Sequence, residues 1–99
     1  MSAYVIGKVK VNDPDTYKKY TAKTPDIIKR HGGKFLVRGG DVQCYEGEQF
    51  SDRIVVIEFP NQQAVQSWYN DPDYQQAMVY RHAASQGQLL VVDGYDETA

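Results

Sequence analysis

A period of two runs through the start of the chain. Ala3, Val5, Gly7, Val9 and Val11 alternate with Tyr4, Ile6, Lys8 and Lys10, which predicts a strand. Asn12-Asp13-Pro14-Asp15 then supplies a capping acid and a proline suited to the first helical position. Tyr17, Tyr20, Thr24, Ile27, Ile28 and His31 recur at helical spacing, with Pro25 predicting a kink or a break near Thr24 and Gly32-Gly33 ending the helix. Lys34 to Arg38 returns to a strand pattern. Strand character resumes at Val42 to Glu46, so Gly39-Gly40 reads as a bend in one long strand rather than a tight turn.

After a polar turn, Arg53 to Phe59 is the most apolar strand, stopped by Pro60. Asn61 caps a helix bearing Ala64, Val65, Trp68 and Tyr69. Asp71-Pro72 starts another, bearing Tyr74, Ala77, Met78 and Arg81, which Gly87 ends before a last strand at Leu89 to Val92. The order is βαββαβ with the second helix broken. That predicts an α+β, ferredoxin-like arrangement with helices on one face of an antiparallel sheet. Residues 1–95 form the expected single domain, and 96–99 a short polar tail.

Two strands are apolar on both sides. Ile54 and Val56 oppose Val55, Ile57 and Phe59; Leu89 and Val91 oppose Leu90 and Val92. With helices enough for one face only, this predicts a homodimer in which a second copy covers the open face; ordinary excess apolarity of a middle strand is the alternative. Composition narrows the rest. A net charge of −2 argues against nucleic acid or an anionic membrane surface as partner. Tyr4-Val5-Ile6 is too short an apolar run for a signal or a span, and one cysteine excludes an internal disulfide, so the expected location is cytoplasmic. Eight tyrosines suit half-wet surfaces such as pocket walls and subunit interfaces.

The segments His31-Gly32-Gly33-Lys34-Phe35-Leu36-Val37-Arg38-Gly39-Gly40, Glu46-Gly47, Val56-Ile57-Glu58-Phe59-Pro60 and Trp68-Tyr69-Asn70-Asp71-Pro72-Asp73-Tyr74, with Arg81, resemble the domain of unknown function 1330 family over nearly the whole chain. The resemblance implies the dimeric α+β barrel superfamily, in which two ferredoxin-like sheets pair face to face. That superfamily includes cofactor-free monooxygenases, isomerase-like proteins, haem enzymes and regulators. The resemblance therefore implies a fold and a pocket location, not a reaction.

Strand parity supplies the candidate chemistry. If Phe59 and Phe35 face the helices, Glu58 and Arg38 share the other face of neighbouring strands. They would then form either an anion-binding arginine beside a general base, or a structural ion pair. Arg81 needs a carboxylate, with Glu46 and Asp71 as candidates, and serves either as an anion clamp or as a brace. Trp68, Tyr69 and Tyr74 wall a pocket or fill the core. His31 is an acid, a ligand or a helix cap. His82 reads as a surface residue and Cys44 as a small buried strand filler. Neither glycine pair fits a nucleotide loop, and two lone histidines give no metal spacing, so no metal and no cofactor is expected. Three functions follow: a homodimeric protein binding a small anionic or aromatic molecule; a cofactor-independent enzyme using Arg38, Glu58 and a tyrosine; or an interaction module without a small-molecule site.

Overall fold

The computed structural model describes residues 1–95, so the tail predicted at 96–99 lies outside the described residues. In chain order the elements are β1 (Ala3–Val11), α1 (Pro14–Arg30), β2 (Lys34–Arg38), β3 (Arg53–Phe59), α2 (Gln62–Tyr69), α3 (Pro72–Ala84) and β4 (Ser85–Asp93). The strands form one antiparallel sheet in the order β2-β3-β1-β4. This is the α+β, ferredoxin-like arrangement.

Local chemistry starts each helix where the sequence places a cap. Asp13, Asn61 and Asp71 accept from the backbone amides of Thr16, Ala64 and Asp73 at 3.2, 2.8 and 2.8 Å, meeting donors that a helix start leaves without partners. The helices lie on one face of the sheet. Val5, Ile57 and Phe59 from the strands meet Ile27 and Ile28 of α1, Val65 and Trp68 of α2, and Tyr74 and Met78 of α3. Each large apolar side chain so buried contributes about 1.5–3 kcal/mol. Among the described residues the other face carries no helix, and they form a slab only 16 Å across its thinnest dimension.

Four local expectations are corrected. First, α1 runs unbroken through Pro25. Proline has no amide to offer the Thr21 carbonyl four residues back, but that carbonyl accepts from Arg38 Nη2 at 2.9 Å instead. Second, β2 contains a bulge. Lys34 pairs with Glu58 and Phe35 with Ile57, but Val37 and Arg38 then pair with Val56 and Val55, which leaves Leu36 unpaired. Third, Val42 to Glu46 is a loop, not a strand. Gly39, at φ +75°, donates to Ile54 at 2.9 Å, close to where β3 begins at Arg53, so the chain beyond has no neighbouring strand. Cys44 is accordingly no strand filler: its Sγ gathers the carbonyls of Glu46, Gly47 and Glu48 at 3.4, 3.6 and 3.2 Å. Fourth, Gly87 does not end α3 but lies within β4, opposite Val9. A Cβ there would strike the backbone of Lys8 and Val9, so the close strand approach requires glycine.

Candidate functional site

The bulge decides which side of the sheet each candidate occupies. Beyond Leu36 the alternation inverts, so Arg38 falls in a helix-side row with Val55, Gly7 and Leu89. Glu58 lies on the opposite, helix-free face, where Tyr4 donates its hydroxyl to Oε2 at 3.0 Å. That bond, followed by the carboxylate's charge, pushes the Tyr4 phenol up from its ordinary value. Arg38 and Glu58 therefore do not share a face, and the sheet separates the predicted pair.

Arg38 instead borders a cavity of about 40 Å³ between the sheet and the helical layer. At about 10–15 Å³ per enclosed water, that is room for a few atoms' width. Gly7 helps to make it. A Cβ at Gly7 would lie 3.6 Å from Leu89 and 3.8 Å from Val55, ordinary contact distances, so the missing side chain leaves space without being forced by the backbone. Val5, Val55 and Leu89 form part of the floor, Tyr20 and Trp68 part of the wall. Outside lies an open groove of about 400 Å³ that shares Tyr17, Thr21, Arg38 and Arg53 with the cavity.

Three guanidinium groups surround this space, each over an aromatic ring: Arg38 at 4.8 Å from the Phe35 centroid, Arg53 at 5.7 Å from Tyr17 and Arg81 at 5.9 Å from Tyr20. The Nε atoms of Arg53 and Arg81 are buried without a hydrogen-bond partner among the described residues. Arg81 pairs with neither Glu46 nor Asp71; its guanidinium makes a long contact, 3.4 Å, from Nη2 to His82 Nε2, and lies close enough to Tyr74 to lower that phenol.

The aromatic candidates divide. Trp68 is core and cavity wall at once, its ring 5.3 Å from Phe59 and 4.4 Å from Tyr74. Tyr74 is fully buried and reaches the cavity only through Tyr20, whose hydroxyl it meets at 2.8 Å. Burial pushes both phenols up; for Tyr74, the Tyr20 hydrogen bond and the Arg81 charge work against the rise. Both stay neutral at physiological pH. Tyr69 is more than a third exposed and sits behind Trp68, away from the cavity.

His31 belongs to a brace. Its Nε2 meets Asp71 Oδ2 at 2.8 Å, and Arg30 reaches Asp73 at 2.9 Å and Asp71 at 3.7 Å, tying the end of α1 to the start of α3. The His31 hydrogen bond, then the Asp73 amide, hold the Asp71 carboxyl below its usual value. A depressed carboxyl contributes fully above its unfolded value, about 3.9, and loses that contribution as pH falls through the folded value. Thermal midpoints followed from about pH 6 to about pH 2.5 should fall more steeply below pH 4 in the wild type than in Asp71→Asn. Parallel curves would show that the brace gives no acid dependence.

Arg53, Tyr17 and Gly7 were not among the predicted site residues. Parity held the signal for Arg53: it shares the face of Val55, Ile57 and Phe59, and a cation on the inner face of a middle strand needs a reason. Among the described residues, no three His, Cys, Asp or Glu side chains gather as a metal site would require. No helix among them is long and apolar enough to cross a membrane.

A four-stranded antiparallel sheet with helices on one face, and a small cavity beneath them, defines an α+β protein of the ferredoxin-like class. Residues 2–95 match the family described as domain of unknown function (DUF1330), and the chain belongs to it. Among solved structures it is similar to a protein of unknown function from Rhodopseudomonas palustris, with 19% identity over 96% of this chain and 83% of that one and a TM-score of 0.81. It is also similar to a dimeric ferredoxin-like protein of unknown function from Jannaschia sp. CCS1, at 18% identity over 97% and 100% of the two chains and a TM-score of 0.72. SnoaB, a cofactor-independent oxygenase from Streptomyces nogalater, aligns at 12% identity over 96% and 94% with a TM-score of 0.69. At these identities the likeness concerns the fold. No match was found among curated proteins.

Proposed function

We propose that the protein is a homodimer, paired sheet to sheet as an α+β barrel, that binds a small and mostly apolar molecule beneath its helices. The observation that carries the binding reading is the hollow above Gly7, which a methyl group could occupy without displacing its neighbours. An interaction module without a ligand would gain from filling it. The dimer reading rests on a row of apolar residues, Val37, Val56, Ile6 and Leu90, that crosses all four strands on the helix-free face. A similar fold is described as dimeric in the Jannaschia protein.

The likeness to SnoaB raises an enzymatic alternative. The cavity lining among the described residues includes arginine, tyrosine and threonine, but no carboxylate, imidazole or thiol. Glu58, the carboxylate that alternative relied on, stands on the far side of the sheet. Binding is therefore the better supported reading, because no wall residue can act as a general base near neutrality.

Gly7→Ala tests it with two readouts of opposite sign. Removing glycine's freedom from the unfolded chain should raise stability by about 0.4–1 kcal/mol. The same methyl should weaken binding of short alcohols, acids or single-ring phenols by about tenfold or more, followed through Trp68 fluorescence. If no such molecule gives a saturable Trp68 response in the wild type, the binding reading fails.

A further inference from the structure

The groove at the cavity mouth has a charge that the whole protein does not. The chain carries a net charge of −2, yet the lining residues of the groove include Lys18, Arg38 and Arg53 and no carboxylate. Ion pairs within 4.0 Å among the described residues involve Arg30 and His31 with Asp71 and Asp73, at the other end of α1. Asp41 and Asp52 border a separate hollow beside Arg53, and neither pairs with its guanidinium. Three cations that share one groove, none in an ion pair among the described residues, repel one another, an arrangement that a bound anion relieves.

The two arginines are held rather than loose. Arg38 donates one arm to Thr21 and stacks on Phe35. Arg53 lies over Tyr17, its Nε buried without a partner, and its guanidinium occupies the space where a Cβ of residue 39 would stand, which Gly39 leaves open. A planar guanidinium held in this way keeps donors that can bond two oxygens of one anionic head group at little cost in side-chain freedom. Behind them the cavity is narrow and apolar-walled, with Gly7 at its floor.

Resting on the binding reading above, we infer that the ligand is an amphipathic oxyanion. A carboxylate or phosphate head would dock on Arg38 and Arg53 in the groove, and a short apolar tail would enter the cavity above Gly7. Arg53 is the residue that selects the anion, and Lys18 adds attraction at the rim.

The test compares butyrate, butyl phosphate and 1-butanol, which share one tail, by Trp68 fluorescence on wild-type, Arg53→Met and Arg53→Lys proteins. At least one of the two anions should bind about ten- to hundredfold more tightly than the alcohol, as expected for charged hydrogen bonds. The tighter anion identifies the head group. Arg53→Met should cut the ratio of anion to alcohol affinity by about tenfold or more, and Arg53→Lys should retain part of it. Added salt should weaken the anion alone. Equal binding of anion and alcohol in the wild type, or an undiminished preference in Arg53→Met, overturns the inference while leaving the cavity reading intact. Absence of saturable binding by any of the three overturns both. If Arg53→Met does not fold, the Arg53→Lys protein decides: an undiminished preference there overturns the role of Arg53.

Discussion

Val56→Asp should convert the proposed sheet-to-sheet dimer to a folded monomer. Val56 sits between Val37 and Ile6 on the helix-free face, and two-fold symmetry would bring two new carboxylates into the same contact. Burying an unpaired carboxylate opposes association by several kcal/mol, so the dissociation constant should rise about a thousandfold or more. The fold should survive, because the core is built on the opposite face from Ile57, Phe59 and Trp68. Sedimentation equilibrium should therefore give twice the 11.3 kDa chain mass for the wild type and a value near 11.3 kDa for the variant. A wild type already at the single-chain mass, or a variant still at twice it, would falsify the sheet-to-sheet interface.

The largest loss of stability should come from Trp68→Ala. Its ring is 1% exposed and contacts Phe59 and Tyr74 from the centre of the core. Truncating a buried aromatic of this size costs about 3–5 kcal/mol, a large share of the 5–15 kcal/mol typical of a domain. At roughly 4–8 °C per kcal/mol for about 100 residues, the thermal midpoint should drop by about 12–40 °C. Trp68→Phe should lose much less. It keeps an aromatic ring in place and removes an indole N–H that is buried without a partner. Both are read by circular dichroism at one fixed protein concentration, because the midpoint of a homodimer would depend on concentration. A Trp68→Ala midpoint within about 5 °C of wild type would remove Trp68 from the centre of the core.

The fold was legible because its signals are local and repeated. The alternation in β1, the caps at Asp13, Asn61 and Asp71, and the strand stop at Pro60 each appear in a few adjacent residues. The site was less legible because it depends on counting. One unpaired residue, Leu36, inverts the parity of everything after it in β2, and no composition marks that insertion. The shared face inferred for Arg38 and Glu58 failed for this reason. The Val42 to Glu46 segment reads as a strand by pattern, but a strand needs a neighbour, and that is a property of the assembled sheet. Arg81 was found from its helical spacing, whereas its aromatic partner Tyr20 comes from a distant helix. Arg53 was readable by parity, but a charge at the first residue of a strand is common enough to carry little signal by itself.

Pro25 interrupts the hydrogen-bond ladder of α1 at Thr21, and the vacated carbonyl is where Arg38 rests. A defect in one element thus serves as an address for a side chain from another. A replacement at residue 25 that restored the amide would give the Thr21 carbonyl a second donor beside Arg38. A more regular α1 and a well-aimed Arg38 therefore draw on the same oxygen, and what looks like a flaw in the helix is part of the mouth of the cavity.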